Sequence, residues 1–169
     1  IDSDGFFALR ACPRRVAIIG SGYIAVELGG VLNALGAQVT LVARSERLLR
    51  HFDHEITAEL AQALQQHGIT LAFSRRLSRV ERAADGYALH MAQGPALDGF
   101  DELLWATGRV PNTRDCGLET TGITLDARGC IDIDAWQNTN VAGHYAVGDV
   151  TDRVELTPVA IAAARRLAD

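Results

Sequence analysis

The stretch that decides the fold is R14-R-V-A-I-I-G20-S-G-Y-I-A25-V-E-L-G-G-V-L-N-A-L-G36-A-Q-V-T-L-V-A-R44. Its opening segment, 14–20, is a short apolar run rich in β-branched residues that ends in glycine. Such a run predicts a parallel strand buried on both faces. Residues 23–35 carry apolar side chains at helical spacing, and Gly36 is a helix stop. Residues 37–43 form a second buried run. Between strand and helix lies Gly20-Ser21-Gly22-Tyr23-Ile24-Ala25, a GxGxxA pattern in the one context that gives it meaning. Gly20 allows the tight turn, Gly22 keeps a Cβ away from an approaching pyrophosphate, and Ala25 lets the helix pack close to the strand. The free N–H groups and positive end of the helix then face the phosphates.

The chain continues in the same register. Asp53 is placed to cap a helix over 54–66, Gly68 follows its end, and 69–73 reads as a third strand. This is β-α-β-α-β, half of a doubly wound α/β fold. The texture then changes. Residues 76–94 alternate around Asp85-Gly86, which predicts a hairpin. Residues 100–108 return to a buried strand. From Arg109 onward the chain is loop-rich, with short strands expected near 131–133 and 144–147. A helix is expected from Pro158, because proline suits a first helical turn. The expected organisation is a linker over 1–12, a Rossmann-like NAD(P)-binding domain over 13–110 and a further segment over 111–169.

The second strand ends where a dinucleotide fold usually offers a carboxylate to the adenosine ribose. Here it offers Arg44, with Arg47 and Arg50 following. A guanidinium cannot accept bonds from ribose hydroxyls, but it can grip a 2′-phosphate. Arg50 can fold back to the same phosphate. Each charge-assisted bond contributes roughly 1.5–3 kcal/mol, so two would favour NADP over NAD by roughly two to four powers of ten. The plain alternative is a solvated basic face. Glu46 opposes the phosphate unless it points away or pairs with Arg47.

The whole chain narrows the function classes. It has 169 residues, a net charge of −5 and 48% apolar composition. That suits one globular domain, or one plus part of another, and argues against a nucleic-acid partner. No apolar run reaches membrane-spanning length, and no signal peptide is present, so a cytoplasmic protein with no membrane partner is expected. Cys12, Cys116 and Cys130 form no CxxC pair and read as reduced packing cysteines. The histidines at 51, 54, 67, 90 and 144 read as surface residues. The chain begins at Ile1 with "IDSDGFFAL", which reads as a linker, so a piece of a longer protein is expected.

Taken together, these segments resemble the flavin-dependent disulfide reductases, and within them the glutathione-reductase branch. "SDGFFAL" looks like the linker into that family's NADP domain. "GSGYIAVELGGVLNALGA" resembles its nucleotide loop and helix, and "R44-S-E-R-L-L-R50-x-F-D" its phosphate clamp. "LLWATGRVPNT", "QNTNVAGHYAVGDV" and "ELTPVAIAAARRLA" resemble the segments leading back into the flavin domain. The resemblance implies an α/β fold: a Rossmann-like NAD(P)-binding domain with a parallel sheet and an antiparallel hairpin or meander, then a partial FAD-domain return segment. It implies NADPH and FAD as cofactors.

By the same resemblance, Gly20, Ser21 and Gly22 bind the pyrophosphate, and Arg44 and Arg50 the 2′-phosphate. Tyr23 is the aromatic lid over the flavin, and Ile24 and Glu27 lie at the nicotinamide, Tyr23 and Glu27 being the candidate catalytic residues. Gly108 and Arg109 approach NADP, and Glu155 the nicotinamide. Gly148 and Asp149 bind the ribityl chain. Leu156 and Thr157 open, with Pro158, a helix whose positive end faces the flavin ring. Ser45 stands where the family often has another phosphate contact. No metal ligands are implied.

The full-length relative would pass hydride from NADPH through FAD and a redox disulfide to glutathione disulfide, working as a homodimer joined largely by a C-terminal domain. The CxxxxC pair, an earlier glycine loop and the catalytic His-Glu pair are missing here, so this chain alone is expected to be inactive. The alternatives are a related reductase acting on lipoamide, glutathione amide or trypanothione, a non-catalytic dinucleotide-binding module, and a purely structural α/β domain.

Overall fold

The computed structural model describes residues 1–169, which divide into two compact units, Ile1–Gly108 and Arg109–Asp169. The first opens with a short helix, α1 (Ser3–Phe7), where the sequence suggested only a linker; the Asp2 carboxylate caps it by accepting from the Gly5 N–H. The Trp105 N–H donates to the Ile1 carbonyl at 2.8 Å, so residues 1–8 are fastened to the domain.

Strands β1 (Arg15–Ile19), β2 (Gln38–Val42) and β3 (Thr70–Ala72) alternate with helices α2 (Tyr23–Ala34) and α3 (His54–Gln66). The chain then runs through β4 (Leu77–Ala83), β5 (Gly86–Met91) and β6 (Leu97–Phe100) before returning as β7 (Glu102–Trp105). The parallel sheet has the order β3-β2-β1-β7, and β4-β5-β6 form a separate antiparallel meander. The expected strand over 100–108 is shorter, β7 alone, and Phe100 instead ends β6, with the break at Asp101. The Asp101 carboxylate accepts from the Arg14 and Arg15 N–H groups, which fixes the meander's exit against the start of β1.

The unbroken apolar run of β1 is explained by burial on both faces. Val16 and Ile18 pack with Leu32, Val39, Leu41 and Leu104 under the helices. Ala17 and Ile19 point to the opposite face and pack with Val42, Leu89, Phe100 and Leu103 under the meander. The two-residue period of the pleat thus sorts one strand into two cores. Asp53 caps α3 as expected, accepting from the Glu55 and Ile56 N–H groups.

The second unit has little regular structure. The strands expected near 131–133 and 144–147 are single bridges, Leu125–Ile131 and Asn138–Tyr145. Polar side chains replace the sheet: Asp126 accepts from the Arg128 and Cys130 N–H groups, and Asn140 bonds both the Thr124 N–H and the Gly122 carbonyl. The unit ends in α4 (Thr157–Ala168), with proline in its first turn. Cys130 is buried, but Cys12 and Cys116 are exposed. The packing role expected of those two is wrong: both lie on polar loops with no apolar layer above them. No helix is long and apolar enough to cross a membrane.

Candidate functional site

Within the first unit, the strand sequence sets the location. From β1 the chain moves outward to β2 and β3, while β7 returns on the other side of β1. The crevice beyond the carboxyl end of β1 is therefore the switch point of the sheet, the place where open α/β sheets bind ligands. The glycine loop occupies it. Gly20 has φ +147°, and a Cβ there would stand 2.2 Å from the Ala106 carbonyl oxygen. Glycine at 20 is thus a demand of the fold itself. Gly22 is different: a Cβ there would meet nothing within 4 Å. No packing inside this unit requires a glycine at 22, and the space beside it fits an approaching diphosphate.

Gly22 is also the N-cap of α2, with no side chain capping it. The first main-chain bond of the helix runs from the Val26 N–H to the Gly22 carbonyl at 3.2 Å. The N–H groups of Tyr23, Ile24 and Ala25 have no protein acceptor, so the helix end can receive an anion. Ala25 is fully buried, as close packing of helix on strand requires. Tyr23 is 40% exposed, Ile24 is half-buried, and Glu27, one turn on, is exposed.

Arg44 lies two residues past the end of β2 and is exposed, with no ion-pair partner. Arg50 is exposed, and its Nε–H donates to His51 Nε2 at 2.9 Å. Arg47 does not pair with Glu46; its guanidinium donates to the Arg50 carbonyl at 2.7 Å. Glu46 is exposed and makes no salt bridge. Ser45 and Ser21 meet through their hydroxyls at 3.0 Å, and the Leu49 N–H donates to the Ser21 carbonyl at 2.7 Å. The fold thus brings the glycine loop and the arginine loop together. Sequence reasoning missed this link, because two serines 24 residues apart carry no periodic signal. It also missed the acceptor that His51 offers to Arg50. Gly108, at the end of the unit, has φ +153° and open space around its Cβ position.

Within the second unit, Arg109 joins two of the other candidates. Its guanidinium lies 3.3 Å from Asp149 and 3.6 Å from Glu155. These groups, with Arg128 and Cys130, line a cleft of about 200 Å³. Gly148 has φ +82° and turns the chain into a 3-10 turn at Asp149–Thr151. Leu156 is the N-cap of α4, and no side chain caps that helix either. The Val159 and Ala160 N–H groups both reach the Leu156 carbonyl, and Pro158 has no N–H, which leaves Thr157 as the free donor of the first turn. Asp126, Cys130 and Asp152 place donor atoms within 4.8 Å of one another. Asp152 is paired with Arg128, and the Asp126 carboxyl is held below its ordinary pKa first by the Cys130 N–H. Burial, and then the Asp126 charge, push the Cys130 thiol up, away from a reactive thiolate.

The family model described as pyridine nucleotide-disulphide oxidoreductase matches residues 1–164. The chain is 43% identical to a glutathione reductase of Burkholderia cepacia and 44% identical to one of Schizosaccharomyces pombe, in each case over all of this chain. It spans 37% of the length of each of these relatives. Among solved structures it resembles the HOCl-induced flavoprotein disulfide reductase RclA of Escherichia coli in its Cu(II) complex. The TM-score is 0.90 at 28% identity, covering all of this chain and 39% of that one. LpdA of Mycobacterium tuberculosis gives a TM-score of 0.87 at 29% identity, covering 98% of this chain and 36% of that one. The mixed α/β architecture, with its parallel sheet and separate antiparallel sheet, is that of the flavoprotein disulfide reductases.

Proposed function

Because the chain belongs to the pyridine nucleotide-disulphide oxidoreductase family, we propose that it is the NADP(H)-binding part of a glutathione-disulfide reductase, followed by the segment that returns into an FAD-binding domain. The carrying observation is the pairing of two features at one sheet end. An uncapped helix N-terminus with open space at Gly22 is bonded to a loop that presents Arg44 and Arg50 where a carboxylate would select NAD.

In this reading Gly20, Ser21 and Gly22 hold the pyrophosphate on main-chain N–H groups. Arg44 and Arg50 hold the 2′-phosphate, with Glu46 turned to solvent. Tyr23, Ile24 and Glu27 lie along the path of the nicotinamide. By the resemblance, Gly108 and Arg109 approach NADP and Glu155 the nicotinamide, and Gly148, Asp149, Leu156 and Thr157 serve the flavin end. Bound NADPH and FAD would supply hydride and electron transfer toward a redox disulfide and then glutathione disulfide. The chain has no CxxxxC pair, so its own part is binding and orientation, and alone it turns over no substrate. A cytoplasmic homodimer is part of the same reading of the whole protein.

Calorimetric titration at low salt with NADP and separately with NAD tests this. A preference for NADP of about a hundredfold, abolished in Arg44→Glu, is the expected result. Equal affinity, or a preference for NAD, would refute the 2′-phosphate assignment and favour a reductase of the lipoamide type.

A further inference from the structure

Two serines tie the glycine loop to the arginine loop, and proton accounting fixes the direction of the tie. A hydroxyl has one proton to give. Ser45 Oγ donates to the Arg47 carbonyl at 2.8 Å. In the 3.0 Å contact between the two hydroxyls, Ser21 is therefore the donor and Ser45 the acceptor. The result is a directed chain, Ser21 hydroxyl to Ser45 hydroxyl to Arg47 carbonyl. A main-chain bond from the Leu49 N–H to the Ser21 carbonyl runs beside it, and the Ser45 carbonyl accepts from the Ser74 N–H at 3.0 Å.

The loop needs these contacts. Leu49 sits at φ +45°, a region that a leucine rarely adopts without external support. Leu48, beside it, is fully buried in the helix-side core. Arg44 and Arg50 stand at the two ends of the fixed segment. Their separation is therefore set by what holds residues 45–49 and not by the arginines themselves, which have no carboxylate partner.

We propose that Ser45 is a positioning residue for dinucleotide selectivity: through the Ser21–Ser45–Arg47 chain it holds Arg44 and Arg50 so that both grip one phosphate monoester on the adenosine ribose. Its own hydroxyl faces inward and is not a phosphate ligand. The proposal rests on the nucleotide-binding reading above. It differs from direct recognition because the donor on the glycine loop, Ser21, matters as much as the serine on the arginine loop.

The test is titration of the full 169-residue chain and its Ser21→Ala, Ser45→Ala and doubly substituted variants with NADP and NAD, with Arg44→Glu in the same series. Each single variant is expected to lose about fivefold in NADP affinity, the worth of one hydrogen bond. NAD affinity should hold within about twofold in Ser45→Ala, the loss in Ser21→Ala should be larger for NADP than for NAD, and the double variant should be no worse than the weaker single, because both break one chain. A loss in Ser45→Ala with none in Ser21→Ala would overturn the proposal in favour of direct phosphate contact by Ser45. Equal losses for NADP and NAD in Ser21→Ala would overturn it in favour of a pyrophosphate contact. If Arg44→Glu abolishes the NADP preference while both serine variants keep it, the clasp fails and the nucleotide reading stands. If Arg44→Glu has no effect, or neither nucleotide binds, the nucleotide reading itself fails. The selectivity role then falls with it, whereas hydrogen exchange at the Leu49 amide of the free chain tests the clasp separately: faster exchange in Ser45→Ala is expected, and an unchanged rate sinks the clasp even where NADP binds.

Discussion

Leu41 lies fully buried in a cluster with Val16, Ile18, Val39 and Leu104, whereas Asp134 is exposed and accepts bonds from the Trp136 and Asn138 N–H groups and the Asn138 amide. Each residue organises its own unit. The first unit buries apolar side chains on both faces of a parallel sheet. In the second, Cys130 and Ala146 are the only buried apolar residues, and short polar turns carry the shape. A sheet held by burial derives its stability from the hydrophobic effect, which is non-directional and large. Turns held by carboxylates and amides depend on charge state and on solvent. The first unit therefore yields to lost burial, and the second to lost charge.

The largest effect expected is in the first unit. Leu41→Ala leaves a cavity between β2 and the helices and should destabilise the unit by about 2–5 kcal/mol, read as a lowered urea midpoint. An effect below about 1 kcal/mol would mean that the sheet core is not what holds residues 1–108 together.

The next effect separates two glycines in one loop. Gly20→Ala forces a Cβ against the Ala106 carbonyl oxygen at φ +147° and should destabilise by about 1–3 kcal/mol. Gly22→Ala meets no neighbouring atom and should lower stability by no more than about 1 kcal/mol, the loss of a glycine N-cap. On the proposed reading it should nonetheless weaken dinucleotide binding strongly, because the new methyl group fills the space assigned there to the phosphates. Equal stability losses in the two variants would remove the argument that the space at Gly22 belongs to a ligand.

The smallest effect is the acid response of the second unit. The Asp134 carboxyl is held below its ordinary pKa first by the Asn138 side chain, and that of Asp126 first by the Cys130 N–H. A folded pKa below the unfolded value means stability that is present above about pH 4, the unfolded carboxylate value. That stability is lost as pH falls through the lower folded values. Amide resonances of Cys130 and Asn138 should broaden as pH drops below about 4, ahead of those of Ile18 and Leu41. Loss of all four together would erase the distinction between the units.

These contrasts track what could be read in the chain. The run 14–44 forms its strand, loop, helix and strand within a residue or two of the expected limits, because strand burial and helix periodicity are local patterns. Asp53 caps α3 for the same reason. Residues 131–133 and 144–147 have strand-like composition yet form single bridges. The polar turns around them satisfy their main-chain groups without a ladder, which is a tertiary outcome. The resemblance gives Arg109 to the dinucleotide, but its ion pairs with Asp149 and Glu155, 40 and 46 residues further on, have no local signal in the chain.

The sequence by itself determined the α/β order, the glycine loop opening a helix, and arginines after β2 in place of a carboxylate. Each element in these is written in a stretch of fewer than about twenty residues, where local chain geometry fixes the outcome. The tertiary structure decided what joins those pieces. It set Ser21 against Ser45, gave Arg50 to His51 and Arg47 to a carbonyl, left Glu46 free, and showed that Gly20 answers to the fold while Gly22 leaves open space. The Ser21–Ser45 and Gly20–Ala106 approaches depend on distances between residues far apart in the chain, which only the assembled sheet fixes, and the two arginine bonds, though local, depend on the loop conformation that those approaches impose.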